Sequence, residues 1–207
     1  MRYKVFSTLC VMMFGTVSFV EAQVVEFRLE TTDNSGSVID TINQGEQFLL
    51  TAFGQQIDFG TDSPEDSGIF AAYMDVSFDA SLASVAGSVE FNPDYPNGMN
   101  AEFDQVGLID NVGSIAGTLN RTGESEIQLW SLLMLANDAG NLEFASSESG
   151  VVPVFEVLVF PRSGPVDPSD ITFGSTSLTI VPEPSSLFLL LMGWLCGLRR
   201  ILSLIHI

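Results

Sequence analysis

The sequence predicts an all-β protein, an antiparallel β-sandwich of the jelly-roll kind. Three observations predict it. Apolar and polar residues alternate with period two along most of the chain; turn-forming Gly, Asn, Asp and Pro clusters recur every ten to fifteen residues; and no amphipathic stretch of three helical turns occurs between the termini.

The strands follow in order. Val25, Phe27 and Leu29 alternate with Glu26, Arg28 and Glu30, and Asp33-Asn34-Ser35-Gly36 supplies the first turn. Val38–Ile42 and Gln47–Phe53 flank a turn at Asn43-Gln44-Gly45. Phe70, Ala72, Met74, Val76 and Phe78 form one face of the next strand, with Ala71, Tyr73, Asp75 and Ser77 on the other. Weaker alternation marks Ser88–Phe91, Ala101–Val106 and Val112–Gly117. Glu126–Ala136 is an ambiguous apolar run that allows a helix of one or two turns, while the flanking glycines and Asn137-Asp138-Ala139-Gly140 favour a strand buried on both faces. Val154–Phe160, Ile171–Phe173 and Ser177–Val181 close the domain.

Both ends read as processing segments. Arg2 and Lys4 precede an apolar run that reaches Val20, and Val20-Glu21-Ala22 offers small or β-branched residues where a signal peptidase reads. Residues 1–22 are therefore expected to be a signal peptide, cut between Ala22 and Gln23, leaving a sandwich over 23–181 and a tail over 182–207. The body carries three basic against 24 acidic residues, a net of −21, and no lysine. Such a charge repels the phosphates of nucleic acid and of anionic lipid, so nucleic acid is not an expected partner. Cys10 and Cys196 both fall in the ends, so the body folds without disulfides.

Catalytic chemistry is restricted by what the body lacks. The one histidine is His206, so Ser-His, Cys-His and Ser-Lys arrangements cannot be built, and zinc lacks its usual ligands. A non-enzymatic role is expected; the alternative is a small glycoside hydrolase working through two carboxylates. Asp58, Asp62, Glu65 and Asp66, set among glycines, are the candidate oxygen ligands for calcium, the one cofactor the residues suggest. The loop Asn92-Pro93-Asp94-Tyr95-Pro96-Asn97-Gly98 presents Tyr95 as a candidate ring for stacking on sugar, against the plainer reading of a packed tyrosine.

The tail is the most specific stretch. Pro182-Glu183-Pro184 forbids helix, the twelve-residue run Leu187–Leu198 favours it, and Arg199-Arg200 would hold its far end on the cytoplasmic side. At about 1.5 Å per residue the run reaches about 18 Å, short of a hydrocarbon core of about 30 Å. This order resembles the PEP-CTERM sorting domain of Gram-negative bacteria that make exopolysaccharide. The resemblance implies recognition by exosortase, processing near Pro182-Glu183-Pro184, and display at the cell surface or in the extracellular matrix. It further implies transient membrane association and contact with polysaccharide or a surface protein. One departure stands: Ile201–Ile207 follow the arginines, where the pattern stops; they either lengthen the apolar segment or are not the native end.

The body carries a second, looser resemblance. Gly45–Ala52, Gly68–Val85, the leucine-rich strand and Val154–Phe160 follow an order similar to cohesin-type domains, which are related to carbohydrate-binding sandwiches. That likeness implies a nine-stranded jelly roll used for protein docking or glycan contact. The leading expectation is an exported, non-catalytic surface protein for adhesion or matrix contact, with a cohesin-like docking module as its rival.

Overall fold

A computed structural model describes residues 24–118, 121–150, 156–162 and 164–183. The signal peptide with its Ala22/Gln23 boundary and the hydrophobic sorting helix lie outside the described residues.

Twelve strands form two packed sheets. They are β1 (Val25–Thr32), β2 (Thr41–Asn43), β3 (Gln47–Gln56), β4 (Gly68–Phe78), β5 (Ala83–Phe91) and β6 (Asn97–Glu102) in the first half. The second half adds β7 (Leu108–Ile115), β8 (Ile127–Ala136), β9 (Gly140–Ser147), β10 (Leu158–Phe160), β11 (Ile171–Thr172) and β12 (Ser175–Val181). Among the described residues the only helical turns are two 3-10 turns, Pro64–Asp66 and Pro168–Asp170.

The first sheet runs β11-β1-β3-β8-β5 and the second β2-β12-β9-β4-β7-β6, with β10 also pairing with β4. Pairing is antiparallel apart from β1 with β11 and β2 with β12, which are parallel. The wholly antiparallel expectation is corrected at those two places. The cause is the chain's last turn, which adds β11 to one sheet and β12 to the other. Gly174 makes the crossing. A Cβ there would stand 2.4 Å from the Phe27 carbonyl oxygen, and the Gly174 carbonyl accepts from both Ser146 N and Ser146 Oγ, at 3.0 and 2.7 Å.

The alternation does what it predicted. Val25, Phe27 and Leu29 enter the core beside Phe48, Leu50 and Ala52 of β3 and Met74 and Val76 of β4. Trp130, Phe48 and Phe144 are each fully buried, and burial of such side chains contributes about 1.5–3 kcal/mol apiece.

Several boundaries differ from expectation, and β2 is Thr41–Asn43 where Val38–Ile42 is expected, with Val38 exposed. β9, whose alternation rests on Leu142 and Phe144 alone, was hidden behind the Asn137–Gly140 turn. β5 begins at Ala83 rather than Ser88, β6 spans Asn97–Glu102, and β7 begins at Leu108 rather than Val112, with Gly107, φ 78°, in the turn between β6 and β7. The proposed strand Ala101–Val106 is mostly loop, and Val106 is 92% exposed. Finally, β8 is buried on both faces only from Leu129 to Leu132, where four consecutive residues are buried. Leu132, Met134 and Ala136 point into the core, while Leu133 and Leu135 are half-buried and outside it.

Candidate functional site

The outer face of the second sheet is built on β9, β4, β7 and β6. Alternation puts Tyr73, Asp75 and Ser77 of β4 there, opposite the inward Ala72, Met74 and Val76. Tyr73 pairs with Gly113 of β7, and a Cβ on that glycine would lie 2.0 Å from the Ala72 carbonyl oxygen and 2.7 Å from Tyr73 Cδ1. The missing side chain lets the ring cross to β6, where its hydroxyl donates to the Gly98 carbonyl at 2.6 Å. Burial raises the Tyr73 phenol above its ordinary value.

Beside it runs a row of acids. Glu102 of β6 pairs with Asp110 of β7, and Asp75 of β4 pairs with Ser147 of β9. Asp75 accepts from the backbone N–H of Asn111 at 2.8 Å. Asn111 is held at φ 51°, its side chain bonded to Ser149 Oγ and its carbonyl accepting from Asn100 Nδ2 at 3.1 Å. Burial first, then the neighbouring Asp110 carboxyl, raises Asp75 above the usual carboxylate range. Exposed Glu143 continues the negative face. The result is a sheet surface lined with carboxylates over a buried tyrosine and, among the described residues, without a cation.

Each of the three body arginines instead faces a carboxylate elsewhere. Arg28 bonds Glu126 and Glu30 at 2.8 and 2.6 Å, Arg121 bonds Asp66 at 2.8 Å, and Arg162 lies 4.0 Å from Asp58.

The residues singled out in the sequence fall as follows. Asp58, Asp62, Glu65 and Asp66 do not gather. Asp58 accepts from Gly60 N at 2.9 Å and faces Arg162, Asp66 is taken by Arg121, and Glu65 sits in the Pro64–Asp66 turn. Among the described residues no three acidic, histidine or cysteine side chains are placed to hold a metal ion. Tyr95 is fully buried and donates to the Ile69 carbonyl at 2.6 Å, so its ring is closed to a sugar. Pro182 and Glu183 follow β12 directly and share a shallow groove with Gly45, Leu135 and Asn137. Pro184, Arg199 and Arg200 lie outside the described residues. The alternation of β4 puts Tyr73 and Asp75 on one strand face; the row with Asp110 and Glu102 depends on β7 starting at Leu108, which the expected strand Val112–Gly117 leaves out.

A slot also opens between the end of β9 and the start of β10, with Val157, Val166 and Phe173 inside and Glu148, Glu156 and Asp167 among its lining.

No protein-family model and no curated protein matches the chain. Solved structures do resemble it. The seventh ScaB type I cohesin from Pseudobacteroides cellulosolvens superposes with a TM-score of 0.52 at 10% identity, over 79% of this chain and 96% of that one. The third cohesin ScaC in complex with the ScaB dockerin, from Acetivibrio cellulolyticus, gives 0.51 at 10% identity, over 76% and 99%. The cohesin module of a family 33 glycoside hydrolase from Clostridium perfringens gives 0.50 at 11% identity, over 78% and 100%. The body therefore has a cohesin-like all-β sandwich fold; at these identities the likeness is one of fold.

Proposed function

We propose that this chain is a non-catalytic, exported docking module that holds a protein partner on the outer face of its second sheet. The observation that carries the reading is the acidic row Glu102–Asp110–Asp75 with Glu143, a face that among the described residues presents no cation. A partner that fits it is basic, since opposite charge speeds encounter and orients the complex. The cohesin-like fold supports the same reading, because one of its structural neighbours is a cohesin in complex with a dockerin.

The tail supports export and sorting. Pro182-Glu183-Pro184, the short apolar run and Arg199-Arg200 are what a processed C-terminal signal of the exosortase kind requires, and they would place the body at the cell surface or in the matrix around it. The burial of Tyr95, the ring expected to stack on sugar, takes away the residue that favoured polysaccharide contact.

The test is capture from the exported proteins of the source organism. Glu102→Lys with Asp110→Lys should abolish a capture that the unmodified chain makes. Glu90→Lys, on the first sheet, should leave it unchanged. Binding that survives the double substitution overturns the assignment of this face.

A further inference from the structure

The two neighbouring strands β3 and β8 contain no charged residue anywhere in Gln47–Gln56 or Ile127–Ala136, in a body with 24 acidic residues. Their inward side chains build the core. On the outward face Leu49 stands opposite Leu133, Thr51 opposite Ser131 and Phe53 opposite Gln128, with Leu135 one pleat beyond Leu133. Leu49, Phe53, Leu133 and Leu135 are half-buried and outside the core cluster. The outer face of the second sheet shows how this chain treats water, with Asp75, Asp110, Glu102 and Glu143 upon it. An uncharged stripe on the opposite side is a surface made to be covered.

We propose that its occupant is the chain's own C-terminal apolar segment, Leu187–Leu198, laid along the β3–β8 stripe before it is committed to a membrane or removed. Place argues for it. β12 ends at Val181, and Pro182 and Glu183 share a groove with Leu135, so the chain leaves the folded body beside one end of the stripe. A Cβ on Gly45 would stand 3.2 Å from Glu183 Oε1, which fixes that exit closely.

Length argues for it as well. From Leu135 to Gln128 the stripe runs about 20–24 Å at about 3.3 Å per residue. Residues 184–186 supply the bend, and a twelve-residue helix of about 18 Å covers most of the distance. Charge completes the match. Arg199 and Arg200 would arrive near Arg28, where Glu26, Glu30 and Glu126 outnumber one guanidinium and the Glu124 carbonyl is held by Gln55. A second copy is the poorer occupant, because two bodies of net −21 repel one another and a tethered segment competes at millimolar effective concentration. This inference stands apart from the docking role, since it uses the other sheet and asks nothing of a partner.

Cys196, inside the segment, provides the test, because the body has no cysteine. In the full chain carrying Cys10→Ser, a second cysteine is placed either on the stripe, Gln128→Cys, or on the far sheet, Ser177→Cys. Both positions are exposed. In dilute solution without detergent, an intramolecular disulfide to Cys196 should form at least about tenfold faster from position 128. Adding Leu133→Asp should bring that rate down to the one at position 177, with cooperative unfolding showing that the variant still folds. Equal rates at the two positions, no disulfide at either, or concentration-dependent dimers joined through position 128 would each overturn the proposal.

Discussion

The hydroxyl of Tyr95 donates a 2.6 Å hydrogen bond to the carbonyl oxygen of Ile69, 26 residues earlier in the chain, with both residues fully buried. The contact pins the β5–β6 loop to the start of β4. Removing the hydroxyl with Tyr95→Phe keeps the ring in place but takes away the partner of a buried carbonyl. The expected loss is about 1–2 kcal/mol of unfolding free energy, read from urea midpoints at constant slope.

Asp75 gives a pH dependence whose sign is fixed by its surroundings. Burial, then Asp110, holds its carboxyl above the ordinary range. A group that binds its proton more tightly folded than unfolded stabilises the fold in acid and loses that contribution as pH rises through the folded value. Asp75→Asn keeps an oxygen to accept from Asn111 N and removes the titration. The variant should therefore gain on the parent as pH is raised from about 3 to about 7. Paired denaturant titrations across that interval read the difference, and a constant difference would show that Asp75 titrates normally.

Two glycines separate the effects of space and of backbone conformation. At Gly113 a methyl group would stand 2.0 Å from the Ala72 carbonyl oxygen, inside the β4–β7 ladder. Gly113→Ala should cost about 3 kcal/mol or more, because backbone must move. Gly36 has φ 83° with open space around it. Gly36→Ala should cost only about 1 kcal/mol, the penalty of a left-handed conformation. Thermal midpoints of the two variants would rank them.

Arg28 holds Glu126 and Glu30 and also stacks 4.3 Å from the centroid of the Phe53 ring. The pair with Glu126 is solvent-exposed, so Glu126→Gln should cost no more than about 0.5 kcal/mol. Arg28→Ala also uncovers Phe53 and should cost about 1 kcal/mol or more. High salt should shrink the first effect and leave most of the second.

Much of this was legible from sequence, for a physical reason. Strands with one wet face write a period-two code, and the expected β1, β3 and β4 overlap the observed strands, which run on to Gln56 in β3 and begin at Gly68 in β4. β9 was missed because only Leu142 and Phe144 carry its inward face. β6 and β7 were displaced because Phe103 and Val106 are apolar and yet stand in a loop, and a sequence does not tell exposed apolar side chains from buried ones. The acids of the candidate site lie on three strands, and only strand register joins Glu102 to Asp110 and Asp110 to Asp75. The four acids of the 58–66 loop were close in sequence, but arginines distant in the chain, Arg121 and Arg162, engage two of them.

The scarcity of basic side chains reaches beyond electrostatics. A trypsin-like protease meeting the body finds Arg28 within a paired strand, Arg121 and Arg162 outside the strands, and no lysine. Any fragments it released would be long and few, and reagents aimed at lysine amines would find nothing along the body to modify. A scaffold of this composition is suited to persist among secreted hydrolases, and peptide surveys that depend on tryptic cleavage would undercount it.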